Sequence, residues 1–337
     1  MARWEDLAAR GRGLATHLLR RDELDALAAM PDLAALADAL RSHGFAVTES
    51  SVTAEQLELA ARRVAGARLR VLARWAGARD AALAIIFAAE DRRSIRALLR
   101  GAVQHADPHE RLAGLIPTRT LPERALAQLA AQPAPAAIAT LLLAWDHPFG
   151  AALLPLAQGT QPDLLALEFR LDAAFAAQAL RGARAAHQHD LVAYVRETID
   201  LDNACAALVL ATHEGELRPS DAFVSGGARL TLAGFLDALG AREVGEAGRR
   251  LAAVFRPAAL AAVFERAVSE RATVEGALLR HRIAALAAAA RRDPAGVASV
   301  LWFALRQRAE VIDLRRIIWA ASLAAPRSVI ADTLVTV

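Results

Sequence analysis

The sequence predicts an all-α protein, on three observations. Hydrophobic residues make up 55% of the 337-residue chain but aromatics only 5%, so Ala and Leu carry the apolar content and favour helices over strands. No stretch shows convincing period-two alternation. An acid-led motif with helical spacing also recurs: E-D-R-R-S-I-R-A-L-L at 90–99, D-L-D-N-A-C at 200–205 and E-V-I-D-L-R at 310–315. From Asp91 to Asp200 is 109 positions and from Asp200 to Glu310 is 110. Equal spacing suggests a triplicated unit, with blocks 1–114, 115–222 and 223–337 forming one rigid, pseudo-threefold body.

Residues 3–20 can begin a helix, and Asp22 to Leu40 is a second apolar-periodic stretch ended by Ser42, His43 and Gly44. Thr53 with Gln56 forms a capping box. Leu57, Ala60, Val64, Ala67, Val71 and Trp75 then make one apolar stripe on a long helix ending at Gly77. Asp80 can cap the next helix, which Gly101 would stop. On it Asp91, Ser94, Ile95 and Leu98 share a face, so the acid points towards packed surface. A buried carboxylate needs a partner, expected from an Arg or a helix N-terminus.

A loop from Leu115 to Pro122 (L-I-P-T-R-T-L-P) has its counterpart in F-V-S-G-G at 223–227. Short Ala-rich helices follow the first loop, broken by Pro133 with Pro135 and by D-H-P-F-G at 146–150. Pro162 suits the first turn of a long helix carrying E-F-R-L-D-A-A-F at 168–175 and closed by Arg181 and Gly182. The second motif lies on a helix from about Leu191 to Ala211. The third block repeats the plan with short helices over 232–255, a long stretch from Pro257 to Arg292, and a helix over 294–323 capped by Asp293 and Pro294. Pro326 starts a short terminal helix. Leu57–Glu58, Leu167–Glu168 and Phe264–Glu265 hold similar places in the three blocks.

Composition excludes several function classes. Formal net charge is +3, from 40 basic and 37 acidic residues, a near balance that argues against a dedicated nucleic-acid binder. The chain has no Lys, which rules out Schiff-base and lysine general-base chemistry. Cys205 is the one cysteine, so there is no intramolecular disulfide and no cysteine-rich metal site; as a lone thiol it reads as a small core residue. Glu5 and Asp6 interrupt the apolar core that an export signal needs. The uncharged stretch from Ala125 to Trp145 approaches membrane-spanning length, but Pro133 and Pro135 would break such a span near its middle.

The candidate sites reduce in the same way. His187, His189 and Asp190 diverge on a helix and read as a surface turn, while Asp107 and Pro108 separate His105 from His109. Gly226 and Gly227 are a turn rather than a phosphate cradle. Glu90 and Asp91 diverge as helical neighbours, without a nucleophile beside them. Arg62, Arg63, Arg68, Arg70 and Arg74, then Arg291 and Arg292, then Arg306, Arg308, Arg315 and Arg316 read either as solvated helix faces or as an interaction surface. No catalytic constellation, metal set or cofactor motif emerges.

The acid-x-x-[Asn/Ser/Asp]-[Ile/Leu]-Arg motif on three helices, E-D-R-R-S-I-R-A-L-L-R-G at 90–101, E-x-x-L-D-x-x-F at 168–175 and F-V-S-G-G at 223–227 together resemble the family of C-type or d-type subunits of rotary V-type and archaeal A-type ATPases. The resemblance covers essentially the whole chain. It implies a funnel-shaped, three-repeat helical protein without catalytic residues or cofactors, on the cytoplasmic side of the membrane. There it would be a socket between central-axle subunits of the D and F type and a rotor ring of c/K/L-type proteolipids. The positions it marks, as structural or interface residues, are Asp91, Ser94, Arg96, Asp200, Asn203, Glu310, Asp313 and Arg315. Ala204 and Cys205 replace the usual Ile/Leu and Arg, Asp313 replaces Asn, and 115–118 lacks a Gly pair. The triplication alone motivates an alternative, a helical-repeat adaptor or scaffold unrelated to ATPases.

Overall fold

A computed structural model describes residues 4–47, 52–159, 162–212, 218–256, 258–266, 271–326, 330 and 332–336, without the side chains of 78, 81, 82 and 271–273. The protein is all-α, and the described residues contain no strand. The helices are α1 (Glu5–Ala15), α2 (Arg21–Ala28), α3 (Leu33–Ser42), α4 (Ala54–Arg74), α5 (Asp80–Val103), α6 (Pro108–Arg111), α7 (Glu123–Ala130), α8 (Pro135–Ala144) and α9 (Gly150–Ala157). There follow α10 (Leu164–Ala185), α11 (His189–Leu210), α12 (Pro219–Ala222), α13 (Leu232–Leu239), α14 (Val244–Val254), α15 (Ala258–Glu265), α16 (Arg271–Arg292) and α17 (Val297–Ser322). None is long and apolar enough to cross a membrane, among the described residues.

The chain divides into two compact units. The first comprises Ala78–Arg111 and Ala127–His281; the second comprises Ala2–Gly77, Leu112–Leu126 and Arg282–Val337. In the first, α5 packs on α10, α10 on α11, and α11 on α13 and α14. Its core gathers Phe235, Phe255, Phe264, Leu251 and Leu260, with Phe255 and Phe264 rings 4.8 Å apart. In the second unit α17 packs on α1, α2, α3 and α4, around Leu24, Leu36, Leu40, Leu57, Leu314 and Ile318.

Several local signals act as expected. Thr53 and Gln56 exchange capping bonds, Thr53 N–H donating to Gln56 Oε1 at 2.9 Å, and Pro135 begins α8. Others are corrected. The periodic stretch over 22–40 is two helices, because Pro31 interrupts it and Asp32 caps α3, accepting from Ala35 N–H at 2.8 Å. Leu57 and Ala60 of the expected stripe on α4 are buried, but the buried side continues through Ala61, Ala65, Leu69 and Leu72, and α4 ends at Arg74; Val64, Ala67 and Val71 flank it half-buried and Trp75 is exposed. Asp80 is the first residue of α5, not its cap.

Gly101 does not stop α5. It lies within the helix, and glycine is needed there because the Arg111 side chain crosses it: a Cβ would meet Arg111 Cγ at 2.6 Å. Asp163, not Pro162, starts α10, accepting from Leu165 and Ala166 N–H, and the helix continues past Gly182 to Ala185. Likewise α17 begins at Val297, with Gly296 at its cap position. Pro257, residues 267–270 of the long third-block stretch, and most of the terminal helix expected after Pro326 lie outside the described residues.

Candidate functional site

Two faces of α5 carry its polar residues. On one, Asp91 and Ser94 are buried beside Ile95, Leu98 and Leu99. The other presents Arg92, Arg96 and Arg100, spaced one turn apart so that all three reach the same neighbour. That neighbour is α10, running antiparallel, with Glu168 and Asp172 likewise one turn apart. Arg100 makes a two-pronged bond to Glu168, Nε–Oε1 2.5 Å and Nη2–Oε2 2.6 Å. Arg96 joins Asp172 and lies 3.7 Å from Glu168 Oε2. Arg92 binds Asp172 Oδ1 at 3.0 Å and also Asp202 of α11.

The Arg92 guanidinium stacks 4.3 Å from the Phe175 ring centroid. Three arginines therefore meet three carboxylates, and the E-x-x-L-D-x-x-F segment supplies Glu168, Asp172 and Phe175. Burial by itself would lower the Arg92 pKa, but Asp202 and Asp172 outweigh it and hold the group charged. An ion removed from water costs several kcal/mol unless its partners are well placed; two carboxylates and an aromatic face meet that condition here.

The second motif clamps a loop. Asp200 Oδ2 accepts from Ala228 N–H at 2.8 Å and Arg229 N–H at 3.0 Å, and Oδ1 accepts from Leu230 N–H at 3.0 Å. Asn203 bonds Val224 twice, its Nδ2 donating to the carbonyl and its Oδ1 accepting from the N–H, both at 2.8 Å. The loop so held is F-V-S-G-G. Gly226 sits at φ +111, and a Cβ there would meet Leu180 Cδ1 at 2.5 Å. The glycine pair thus serves close approach as well as turning.

The third motif holds two distant segments in the second unit. Glu310 accepts from Leu19 N–H at 2.8 Å and pairs with buried Arg68, which also donates to His17 O at 2.5 Å. Asp313 accepts from Val335 N–H at 2.6 Å and Thr336 N–H at 2.8 Å. Burial raises both carboxyls above their ordinary range, against the pull of Arg68 on Glu310 and of the backbone N–H groups on Asp313. Arg315 Nε lies 3.5 Å from Glu58 Oε1, and Trp319 Nε1 donates to Glu58 Oε2 at 2.8 Å.

Asp91 has a neighbour that its sequence context does not announce. Its Oδ2 is 3.5 Å from Nε2 of His147, whose Nδ1 accepts from Phe149 N–H at 3.3 Å. His147 belongs to D-H-P-F-G, which in the sequence reads only as a helix breaker. Arg92, Arg100, Glu168, Asp172 and Asp202 are also missed as site residues; the signal for five of the six ladder charges is the matching four-residue spacing on α5 and α10.

The marked residues do not converge on one point. Asp91, Ser94 and Arg96 belong to α5, Asp200 and Asn203 share one loop, and Glu310, Asp313 and Arg315 serve three different segments. The Arg-rich stretches resolve individually: Arg62 donates to Leu115 O at 2.6 Å, Arg63 pairs with Glu123, Arg306 donates to Leu19 O and Arg308 to Gly114 O. Arg70, Arg74, Arg291 and Arg292 are exposed. Burial pushes the Cys205 thiol up, which keeps it protonated and a poor nucleophile. His187 is exposed in the turn before α11 and His189 is exposed as the first residue of that helix.

Among known protein families, one described as "ATP synthase (C/AC39) subunit" matches residues 7–332 of the chain. No curated protein matches it.

Proposed function

Because the chain belongs to the ATP synthase (C/AC39) subunit family, we propose that it is a non-catalytic mechanical component of a rotary V/A-type ATPase. In this reading it is a socket on the cytoplasmic side of the membrane, receiving the D- and F-type axle subunits and resting on the proteolipid ring. Torque passes through its helices, so its requirement is stiffness rather than chemistry.

The Arg92–Arg96–Arg100 ladder is the observation that carries this. Its charges bind helix to helix, and the acids of the second and third motifs bind backbone segments. The three blocks 1–114, 115–222 and 223–337 are proposed as repeats on a related ground: Asn203 holds a residue 21 positions later and Asp313 one 22 positions later. The motif residues then act as clamps within and between repeats: Asp313 holds Val335 inside the third block, while Asn203 of the second holds Val224 of the third.

Purification of the chromosomally tagged protein in gentle detergent tests the assignment. The ATPase head, axle and ring should accompany it. Recovery of the free chain alone would refute the reading.

A further inference from the structure

The two units differ in charge. Counted over their residue ranges, the second holds 21 Arg against 15 Asp and Glu, a surplus of 6, and the first holds 19 against 22, a deficit of 3. In the second unit part of the positive charge is committed internally, Arg68 to Glu310 and Arg63 to Glu123. Further charge reaches the surface at the C-terminal end of α4. Arg70 and Arg74 are exposed one turn apart, and Trp75, the residue closing the helix, is 44% exposed. Arg10 of α1 lies over the Trp75 ring, 3.2 Å from its centroid.

The negative end of the helix dipole accounts for Arg74 in the last turn, but not for Arg70 a turn earlier or for a half-exposed indole beneath a guanidinium. Trp and Arg are the residues enriched at the energetic centres of protein interfaces. Glu123, whose charge acts on Arg70, is already engaged by Arg63 at 2.8 Å.

We propose that Trp75 with Arg10, Arg70 and Arg74 is a docking surface for an acidic segment of another protein. The indole supplies a flat apolar anchor and the guanidinium forks take carboxylates in pairs. Arg70 and Arg74, one helical turn apart, match carboxylates at i and i+4 on a partner helix. The inference rests on the proposed function in taking the partner from the same assembly.

The test uses the full chain in its assembly, comparing wild type with Trp75→Ala and with the pair Arg70→Glu, Arg74→Glu. Arg70 and Arg74 are exposed, so the melting temperatures of the isolated double variant and wild type should agree, while Trp75→Ala also loses the Arg10 contact. Partner recovery from the double variant should fall at least tenfold at salt concentrations where wild type still holds. In a Cys205→Ser background, Arg74→Cys joined to a thiol-to-carboxylate crosslinker should label Asp or Glu residues of one partner protein. Equal assembly of variant and wild type at every salt concentration, or crosslinks confined to this chain, to lipid or to nucleic acid, would overturn the proposal. Failure of wild type to assemble with an ATPase would instead count against the function proposed above, and crosslinks to an acidic segment of some other protein would still support this surface.

Discussion

Asp200 and Gly227 stand so close that a Cβ on residue 227 would penetrate Asp200 Oδ1. The carboxylate collects three backbone N–H groups from 228–230 because the chain beside it has no side chain to keep it away. Gly227→Ala should lift the loop from this carboxylate and cost about 2–4 kcal/mol, the loss of bonds to a charged acceptor left buried. Thermal melts of Gly227→Ala, Asp200→Ala and the double variant would check it. The two changes should be far from additive, since each destroys the same contact.

Asn203 both donates to and accepts from Val224, so it needs an amide. Asn203→Asp places a carboxylate against the Val224 carbonyl and should destabilise the protein by roughly 2–3 kcal/mol at neutral pH. Protonation of the new acid restores a donor, so the deficit should shrink as pH falls towards the ordinary carboxylate range near about 4. Urea unfolding at the two pH values measures the difference, and a deficit independent of pH would contradict the assigned bond to the carbonyl.

The ladder predicts unequal arginines. Arg92 is 4% exposed and holds Asp172 and Asp202, so Arg92→Met should cost about 3–5 kcal/mol by removing the buried charge that both carboxylates share. The Arg100 side chain is 54% exposed and buried Glu168 keeps Arg96 at 3.7 Å, so Arg100→Ala should cost less, about 1–2 kcal/mol. Denaturant titrations of the two variants rank them. Similar costs would show that burial does not govern the ladder.

Glu310 and Asp313 have carboxyls raised by burial, and the sign of their effect on stability follows from linkage. The folded state binds these protons more tightly than the unfolded chain does, so their contribution is fully present below the ordinary carboxylate pKa of about 4. It is lost as pH rises through the raised folded values. The melting temperature should therefore carry a component that declines from about pH 4 upward, reduced in Glu310→Gln and Asp313→Asn. A wild-type profile with the same slope as both variants would refute it.

The helical class, most helix positions and the places of the three motifs are legible in the chain alone, because they depend on neighbours within a turn or two. The Thr53–Gln56 box is such a signal. Pro31 and Asp163 are local signals too, but apolar periodicity runs across Pro31, and Pro162 competes with Asp163 for the start of α10. Tertiary structure decides what each motif residue touches. Arg68 meets Glu310 across 242 positions and Arg92 meets Asp202 across 110, and helical spacing sets which residues share a face without choosing the opposing helix. Gly101 shows the same division: locally it reads as a stop, yet it lies inside α5, where Arg111 occupies the space that a side chain would fill.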